Sequence, residues 1–142
     1  MSENQKISAV IITLNEEEYI EKCIKSLKDV VDEIVVVDSF STDRTQEICE
    51  RNHVTFKQRE WEGYALTKNW ANAQASHDFI LSIDADEMIS ETLADSIKLI
   101  KVNLNSNTVY SFNRLNNYCG KWIKHAGWYP DKKIRLFAKN KA

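Results

Sequence analysis

The chain has 142 residues and a formal net charge of −2, a length that suits one α/β domain with a hydrophobic core. Hydrophobic residues make up 43% of it, which excludes an intrinsically disordered chain, and the absence of a basic run argues against a nucleic-acid partner. No apolar run approaches the roughly 20 residues of a membrane helix, and the polar start lacks a signal-peptide core. We therefore expect a cytoplasmic protein.

Strand-like and helix-like patterns alternate along the first 105 residues. Residues 7–13 form a continuous apolar run, which predicts a strand buried on both faces, and Asn15 is expected to cap the helix that follows. The later predicted elements are a strand at 33–38, a helix after Asp43, a strand at 54–57, a helix with Leu66, Trp70 and Ala73 on its apolar face, a strand at 79–83 and a helix capped by Ser90.

This alternation with short connections predicts an α/β fold, with a mostly parallel sheet covered on both faces by helices. The pattern changes after residue 105. Strand-like alternation at 109–114 is followed by an aromatic-rich segment at 118–129 and a short apolar run at 134–137. We expect a single domain over residues 1–142 whose last third is organised differently.

Acidic and hydroxyl side chains follow the predicted strands. In an open parallel sheet, ligands bind beyond the carboxyl ends of the strands, where strand order reverses. The residues expected there are Thr13, Asn15 and Glu16 after the first strand, Asp38, Ser39 and Ser41 after the second, and Asp84, Asp86 and Glu87 after the fourth. Because most of the ionisable groups are carboxylates, this edge of the sheet is predicted to be acidic.

The acidic edge restricts how phosphate could be held. The chain has three glycines, Gly63, Gly120 and Gly127, and none is expected in a strand-to-helix turn. A dinucleotide fingerprint and a Walker phosphate loop are therefore absent from the sequence. Carboxylates repel phosphate unless a divalent cation lies between them, so the pattern predicts Mg²⁺ or Mn²⁺ bound by one or two carboxylates and substrate phosphates.

Asp84 and Asp86 are the candidate cation ligands. They end a strongly apolar strand, and in extended backbone both would point to one side, with Glu87 pointing away or beginning the next turn. The alternative is that they are turn or cap residues, which is the usual role of an isolated Asp-x-Asp. Their position at a strand end in a glycine-poor α/β chain favours a metal site.

Further candidates are less specific. Asp38 could accept a hydrogen bond from a nucleobase or bind a ribose hydroxyl, because Asp43 supplies a cap for the second helix; the alternative is that Asp38 only caps it. Lys68 could neutralise a phosphate or belong to a solvated helix face. Trp122, Trp128 and Tyr129 of the aromatic segment could stack on a sugar or pack against the sheet, and His125 is a candidate for substrate contact.

Three motifs together resemble the family 2 glycosyltransferases of the GT-A fold. They are Ile-Ile-Thr-Leu-Asn-Glu at 11–16, Val-Val-Asp-Ser-Phe-Ser-Thr-Asp-Arg-Thr at 36–45 and Leu-Ser-Ile-Asp-Ala-Asp-Glu at 81–87. The stretches 117–122 and 127–137 are similar to a bacterial subgroup that includes lipopolysaccharide core glucosyltransferases. The resemblance implies an inverting transfer of a hexose from a nucleotide-sugar, usually a UDP-sugar, to an acceptor hydroxyl in cell-envelope polysaccharide or lipopolysaccharide synthesis.

The resemblance also implies roles for individual residues. Thr13 and Glu16 would frame the nucleoside, Asp38 would bind the base, and Asp84 would contact the ribose or lie near the metal. Asp86 would hold the metal that bridges the diphosphate, and Lys68 would lie near the nucleotide. Residues 1–105 would then bind the nucleotide-sugar, and residues 106–142 would begin the acceptor side.

Relatives in this family place their general base after the Arg135-Leu136-Phe137 segment. We therefore expect the base beyond Ala142 and a C-terminally incomplete catalyst. The acceptor would be a saccharide or a lipid-linked molecule, which implies peripheral association with the inner face of the membrane. The sequence does not define the oligomeric state.

Other classes remain open at this stage. A catalytically incomplete nucleotide-binding module fits the same motifs. A nucleotidyltransferase would show a basic, glycine-rich loop after the first strand, whereas residues 14–17 are Leu-Asn-Glu-Glu. A receiver-like signalling domain needs an acid pair at the end of the first strand and a lysine at the end of a later strand, and neither pattern is evident in the sequence.

Overall fold

The computed structural model describes residues 5–113, 117–118, 121–122 and 132–141. The elements in chain order are β1 (Ile7–Thr13), α1 (Ile20–Leu27), β2 (Glu33–Asp38), α2 (Thr45–Arg51), β3 (Thr55–Gln58), α3 (Tyr64–Ala73), β4 (Phe79–Asp84), α4 (Glu91–Lys101), β5 (Tyr110–Asn113), β6 (Asn117–Tyr118), β7 (Lys121–Trp122) and β8 (Lys132–Ala138), with a 3₁₀ turn at Lys139–Lys141. Strands β6 and β7 pair only with each other within the described part of the chain.

The main sheet has six strands in the order β3-β2-β1-β4-β8-β5. Strands β3, β2, β1 and β4 are parallel, whereas β8 is antiparallel to both β4 and β5. The predicted mostly parallel sheet is therefore confirmed. Strand order reverses at β1, because β2 lies on one side of it and β4 on the other. Ligand sites of open α/β sheets form at such a reversal, beyond the carboxyl ends of the strands.

Helices cover both faces of the sheet, as the sequence predicts. Alternate residues of a strand face opposite sides, so β1 divides its side chains between two hydrophobic cores. Ile7, Ala9 and Ile11 pack on the face covered by α1, α2 and α4, while Val10 packs on the face covered by α3. Both sets are fully buried, which explains why the strand sequences read as continuous apolar runs rather than as alternating ones.

Two predicted helix caps have different outcomes. Ser90 caps α4 as predicted, with its Oγ accepting a hydrogen bond of 3.1 Å from the Leu93 amide. Asn15 does not cap α1, which begins at Ile20 after Tyr19 and has no side-chain cap. Asn15 instead adopts a positive φ of 52°, and its Oδ1 accepts a hydrogen bond of 2.8 Å from the Thr42 amide. The loop after β1 is therefore held by the loop after β2.

The apolar face predicted for the third helix is wrong for Leu66 and Ala73, whereas Trp70 is partly buried and packs against the core as predicted. Leu66 is 60% exposed and Ala73 is exposed, whereas the buried residues of α3 are Thr67, Ala71 and Asn72. Helix α3 packs against the sheet through these three buried side chains and the partly buried Trp70, and Leu66 is left in solvent. Among the described residues, no helix is long and apolar enough to span a bilayer.

A pair of leucine variants tests this packing. Leu81 is fully buried in β4, so Leu81→Ala is expected to lower the free energy of unfolding by about 2–5 kcal/mol through lost burial and a residual cavity. Leu66→Ala is expected to change it by less than about 0.5 kcal/mol. Urea denaturation followed by circular dichroism measures both, and a large loss in Leu66→Ala would contradict the exposed position.

Candidate functional site

A cleft of about 460 Å³ lies at the carboxyl ends of β1 and β4, where strand order reverses. Its lining consists of Ile12, Thr13, Leu14, Glu16, Trp61, Tyr64, Asp84, Ala85 and Asp86. We call it the β1/β4 cleft. It brings together four of the six residues that the sequence assigns to nucleotide or metal binding. A larger cavity of about 960 Å³, near Phe79, Leu104 and Lys139, contains none of them.

The Asp84–Glu87 segment is a turn that we call the acidic turn. The Glu87 amide donates a hydrogen bond of 3.0 Å to the Asp84 carbonyl, which closes the turn directly after β4. The expectation of extended backbone is therefore wrong, although Asp84 and Asp86 both line the cleft. The acids are thus turn residues, as in the alternative reading, and cleft residues at the same time.

Glu87 faces away from the cleft and is 1% exposed. Its carboxylate forms a bidentate ion pair with Arg135 of β8, with nitrogen–oxygen distances of 2.6 and 2.8 Å. The same Glu87 Oε1 accepts a hydrogen bond of 2.8 Å from the Asp84 amide. Sequence spacing does not predict this ion pair, because 48 residues separate Glu87 from Arg135 along the chain.

Lys68 lies beside the acidic turn, on α3. Its Nζ is 4.0 Å from Asp84 Oδ1 and 3.5 Å from the Tyr64 hydroxyl, and its side chain is only 14% exposed. The alternative of a fully solvated face is therefore wrong. An ammonium group at this point partly offsets the negative charge of Asp84 and lies near the space that a bound anion would occupy.

Asp38 is fully buried at the end of β2 and does not line the cleft. Its carboxylate accepts hydrogen bonds from the Ser41 amide at 2.8 Å, from the Ser41 hydroxyl and from Gln58 Nε2 at 3.4 Å. The Ser41 Oγ in turn accepts a hydrogen bond of 2.7 Å from the Asn15 amide. Asp38 therefore organises the loops that border the cleft, and its contact with a nucleobase stays a prediction.

Asp43 contacts the start of α2 but is not its N-cap, which is Arg44 without a side-chain cap hydrogen bond. Its Oδ1 accepts a hydrogen bond of 2.9 Å from the Thr45 amide, at the first residue of α2. Asp43 therefore contacts the helix, while Asp38 lies at the strand end. Asp38 is not free, however, because it already accepts the hydrogen bonds described above.

Thr13 brings an unpaired hydroxyl to the cleft. The residue is 6% exposed, and its Oγ1 has no hydrogen-bond partner among the residues that the structure describes. A buried hydroxyl without a partner costs free energy, so native structures usually supply one from protein, water or ligand. A polar atom of a ligand in the cleft would satisfy Thr13.

Glu16 experiences the negative charge of the site directly. Its pKa is raised above the ordinary value of 4.5, first by burial and then by the charges of Asp86, Asp43 and Glu18. Burial and like charge both disfavour the ionised carboxyl. A cation bound near Asp86 would remove part of this penalty.

Two aromatic residues that sequence reasoning missed form one wall of the cleft. Trp61 and Tyr64 are 54% and 57% exposed, and their ring centroids lie 6.5 Å apart in an edge-to-face arrangement. Gly63 lies between them at the start of α3 with a φ of 93°, so the expectation that no glycine lies in a strand-to-helix connection is wrong. The signal was the local sequence Trp-Glu-Gly-Tyr, two aromatic residues around a glycine directly before a helix. His125, Trp128 and Tyr129 lie outside the described residues.

The donor set fits a hard divalent cation that a substrate helps to hold. Within the described part of the chain, no group of three or more His, Cys, Asp or Glu side chains forms a complete metal cage. Mg²⁺ is commonly held by one or two carboxylates plus substrate phosphates, and Asp84 with Asp86 supplies that number. The oxygen ligands also suit Mn²⁺.

The mostly parallel sheet with its strand-order reversal at β1 has the GT-A fold. The Glycosyl transferase family 2 model matches residues 8–141, and the chain belongs to this family. An uncharacterised glycosyltransferase from Rickettsia felis is 42% identical over 134 residues, which cover 94% of this chain and 44% of that protein. A lipopolysaccharide core biosynthesis glycosyltransferase from Rhizobium meliloti, LpsC, is 42% identical over 94 residues, covering 63% of this chain and 34% of that protein.

A solved structure adds the ligands of one relative. Glucosyl-3-phosphoglycerate synthase from Mycobacterium tuberculosis, in complex with Mn²⁺, UDP and glucosyl-3-phosphoglycerate, is 33% identical with a TM-score of 0.53, over 59% of this chain and 34% of that chain. The present chain spans less than half the length of the relatives it matches here.

The raised pKa of Glu16 predicts a pH-dependent stability difference. Below pH 4.5 the carboxyl is protonated in the folded and unfolded states, so Glu16→Gln is expected to change stability little. As the pH rises from 4.5 through the raised folded-state pKa, the carboxyl ionises more readily in the unfolded chain than in the folded one, so the wild type loses stability and Glu16→Gln becomes the more stable protein. Urea denaturation between pH 4 and 8 measures this difference, and a constant or shrinking difference would contradict the assigned repulsion.

Proposed function

We propose that this chain binds a UDP-sugar in the β1/β4 cleft through a divalent cation, as the donor-binding part of an inverting hexosyltransferase. The observation that carries the proposal is the convergence of Asp84, Asp86 and the unpaired Thr13 hydroxyl in one cleft at the strand-order reversal. Family membership and the UDP and Mn²⁺ of the mycobacterial synthase support it.

The residues divide between the two ends of the donor. Asp86, with Asp84 beside it, would hold a Mg²⁺ or Mn²⁺ ion, which when bound offsets the charge of the diphosphate and of the departing nucleotide. Lys68, 4.0 Å from Asp84, would add a positive charge on the α3 side. Thr13 and Glu16 would frame the nucleoside, with Asp38 binding the base or shaping its loop through Ser41.

The acceptor is proposed from chemistry and resemblance. Inverting transfer needs a base that removes the proton of the acceptor hydroxyl, and we assign that role to none of the described residues. We propose a saccharide or lipid-linked acceptor in cell-envelope polysaccharide or lipopolysaccharide synthesis, since a relative bears the name of lipopolysaccharide core biosynthesis. Residues 106–142 would begin the acceptor side, and a lipid-linked acceptor would place the enzyme at the inner face of the membrane.

The metal role predicts how UDP binding depends on manganese. Calorimetric titration of UDP is expected to show tighter binding with Mn²⁺ than with EDTA. Asp86→Asn is expected to remove at least about tenfold of that gain, equivalent to about 1.4 kcal/mol, because it removes a charged ligand of the ion. Asp95→Asn, an exposed acid of α4 outside the cleft, is the matched control and should bind like the wild type. Equal UDP affinity with Mn²⁺ and with EDTA in the wild type would refute the proposal.

The aromatic wall predicts a contact with a flat ring of the donor. Stacking on an aromatic side chain contributes about 1–3 kcal/mol per nucleobase, so Trp61→Ala is expected to weaken UDP-glucose binding by about that amount. Leu66→Ala, an equally exposed apolar residue outside the cleft, serves as the control. Comparing UDP with UDP-glucose shows which end of the donor the aromatic wall contacts. An equal loss of affinity for both ligands indicates contact with the base. A loss for UDP-glucose alone indicates contact with the sugar. No loss for either ligand would contradict the contact.

A further inference from the structure

We infer that the buried Glu87–Arg135 ion pair is a positioning device for the acidic turn, which sets how well Asp84 and Asp86 hold the cation. This inference rests on the proposed function, because it assigns a role within the same metal site. Neither residue lines the cleft, so the pair would act through Asp84 rather than by touching the donor.

The contacts connect Arg135 to the acidic turn without an intervening residue. Arg135 Nη1 donates hydrogen bonds to Glu87 Oε1 at 2.8 Å and to the Ser82 carbonyl at 3.1 Å, while Nη2 donates to Glu87 Oε2 at 2.6 Å. Glu87 Oε1 also accepts the Asp84 amide at 2.8 Å. The guanidinium therefore fixes the carboxylate, and the carboxylate fixes the backbone of the first acidic residue.

The burial of this pair distinguishes it from the other ion pairs of the described chain. Its side chains are 4% and 0% exposed, whereas those of the next most buried pair, Lys68–Asp84, are 14% and 27% exposed. Removing two charges from water is costly, and apolar side chains of similar volume often stabilise a fold equally well. Arg135 Nε also lacks a hydrogen-bond partner among the described residues. Stability alone is thus a poor explanation for the pair, whereas control of the turn geometry accounts for its contacts.

The sheet explains why Arg135 can reach the turn. Strand β8 runs antiparallel to β4, with Leu136 paired to Leu81 and Phe137 to Ile80. One step further along this register places Arg135 beside Ser82, two residues before Asp84. A residue of β8 thereby holds the turn that directly follows β4, so the placement of β8 would be coupled to the proposed metal site.

The opposite end of the sheet offers a matched control. Asp32 forms an ion pair with Lys101 at 2.7 Å, and Asp32 Oδ2 accepts a hydrogen bond of 2.9 Å from the amide of Ile7 at the start of β1. This pair has the same plan, a carboxylate that bridges a cation and a strand-end amide, but it lies away from the cleft. The variant Asp32→Asn/Lys101→Met should affect folding stability and leave the metal site intact.

The test measures UDP affinity with Mn²⁺ and with EDTA, together with the melting temperature of each variant without ligand. Glu87→Met/Arg135→Met replaces the pair by apolar side chains, and Arg135→Lys keeps the charge but not the two-pronged contact. In both, UDP affinity in EDTA should stay unchanged, while the manganese-dependent gain should fall about 10–100-fold in the double variant and by a smaller factor in Arg135→Lys. If the double variant melts too early for titration, the manganese-dependent gain in UDP affinity of Arg135→Lys tests the inference.

The outcomes separate the inference from the function on which it rests. A wild-type chain without a manganese-dependent gain contradicts the proposed function itself. A wild-type gain that both Glu87→Met/Arg135→Met and Arg135→Lys retain in full overturns only the positioning role. An equal fall in the Asp32→Asn/Lys101→Met control also overturns it, because the effect would then follow general stability rather than the acidic turn.

Discussion

The main physical constraint on this molecule is the negative charge that its acidic side chains concentrate at one edge of an apolar sheet. Parallel strands bring their carboxyl ends to the same edge, and here acids end or follow β1, β2 and β4. The protein compensates some of them internally: Ser41 and Gln58 bind Asp38, and Arg135 binds Glu87. Within the described chain, Glu16 and Asp86 have no ion-pair partner, and burial together with the charge of Asp86 raises the pKa of Glu16. The uncompensated charge is therefore concentrated in the cleft.

The loops after β1 and β2 show how the backbone is adapted to this edge. Asn15 and Phe40 adopt positive φ values of 52° and 61°, which cost free energy for residues other than glycine. Side-chain contacts hold this geometry, since Ser41 accepts the Asn15 amide and Asn15 accepts the Thr42 amide. The chain thus shapes the rim of its cleft with hydroxyl and amide side chains, where dinucleotide-binding folds use glycine-rich turns.

The sequence predicts those features that depend on local pattern and strand order. Apolar runs identified β1, β2 and β4, and their parallel order brought Thr13, Glu16, Asp84 and Asp86 to one cleft as expected. Features that depend on tertiary contacts were missed or misjudged. Asn15 was predicted to cap α1, but its Oδ1 instead accepts a hydrogen bond from the Thr42 amide, 27 residues away along the chain. The Glu87–Arg135 pair and the wall formed by Trp61 and Tyr64 depend on how separate elements pack, and periodicity carries no information about such packing.

The incomplete ligand set has a consequence for how a cation and a nucleotide would bind. The two cleft carboxylates of the described chain are too few for a hard cation that prefers six or more oxygen ligands, so in the proposed site phosphate oxygens and water would supply the rest. Each ligand then raises the affinity for the other by the same factor, as linkage requires. A complete cage of protein carboxylates would bind the ion without nucleotide, and it would hold the ion as firmly after the sugar had left as before. In the proposed site, where Asp84 and Asp86 are the carboxylate ligands found among the described residues, cation binding would instead depend on the diphosphate. Small changes in the backbone geometry of the acidic turn would then alter donor affinity as well as cation affinity.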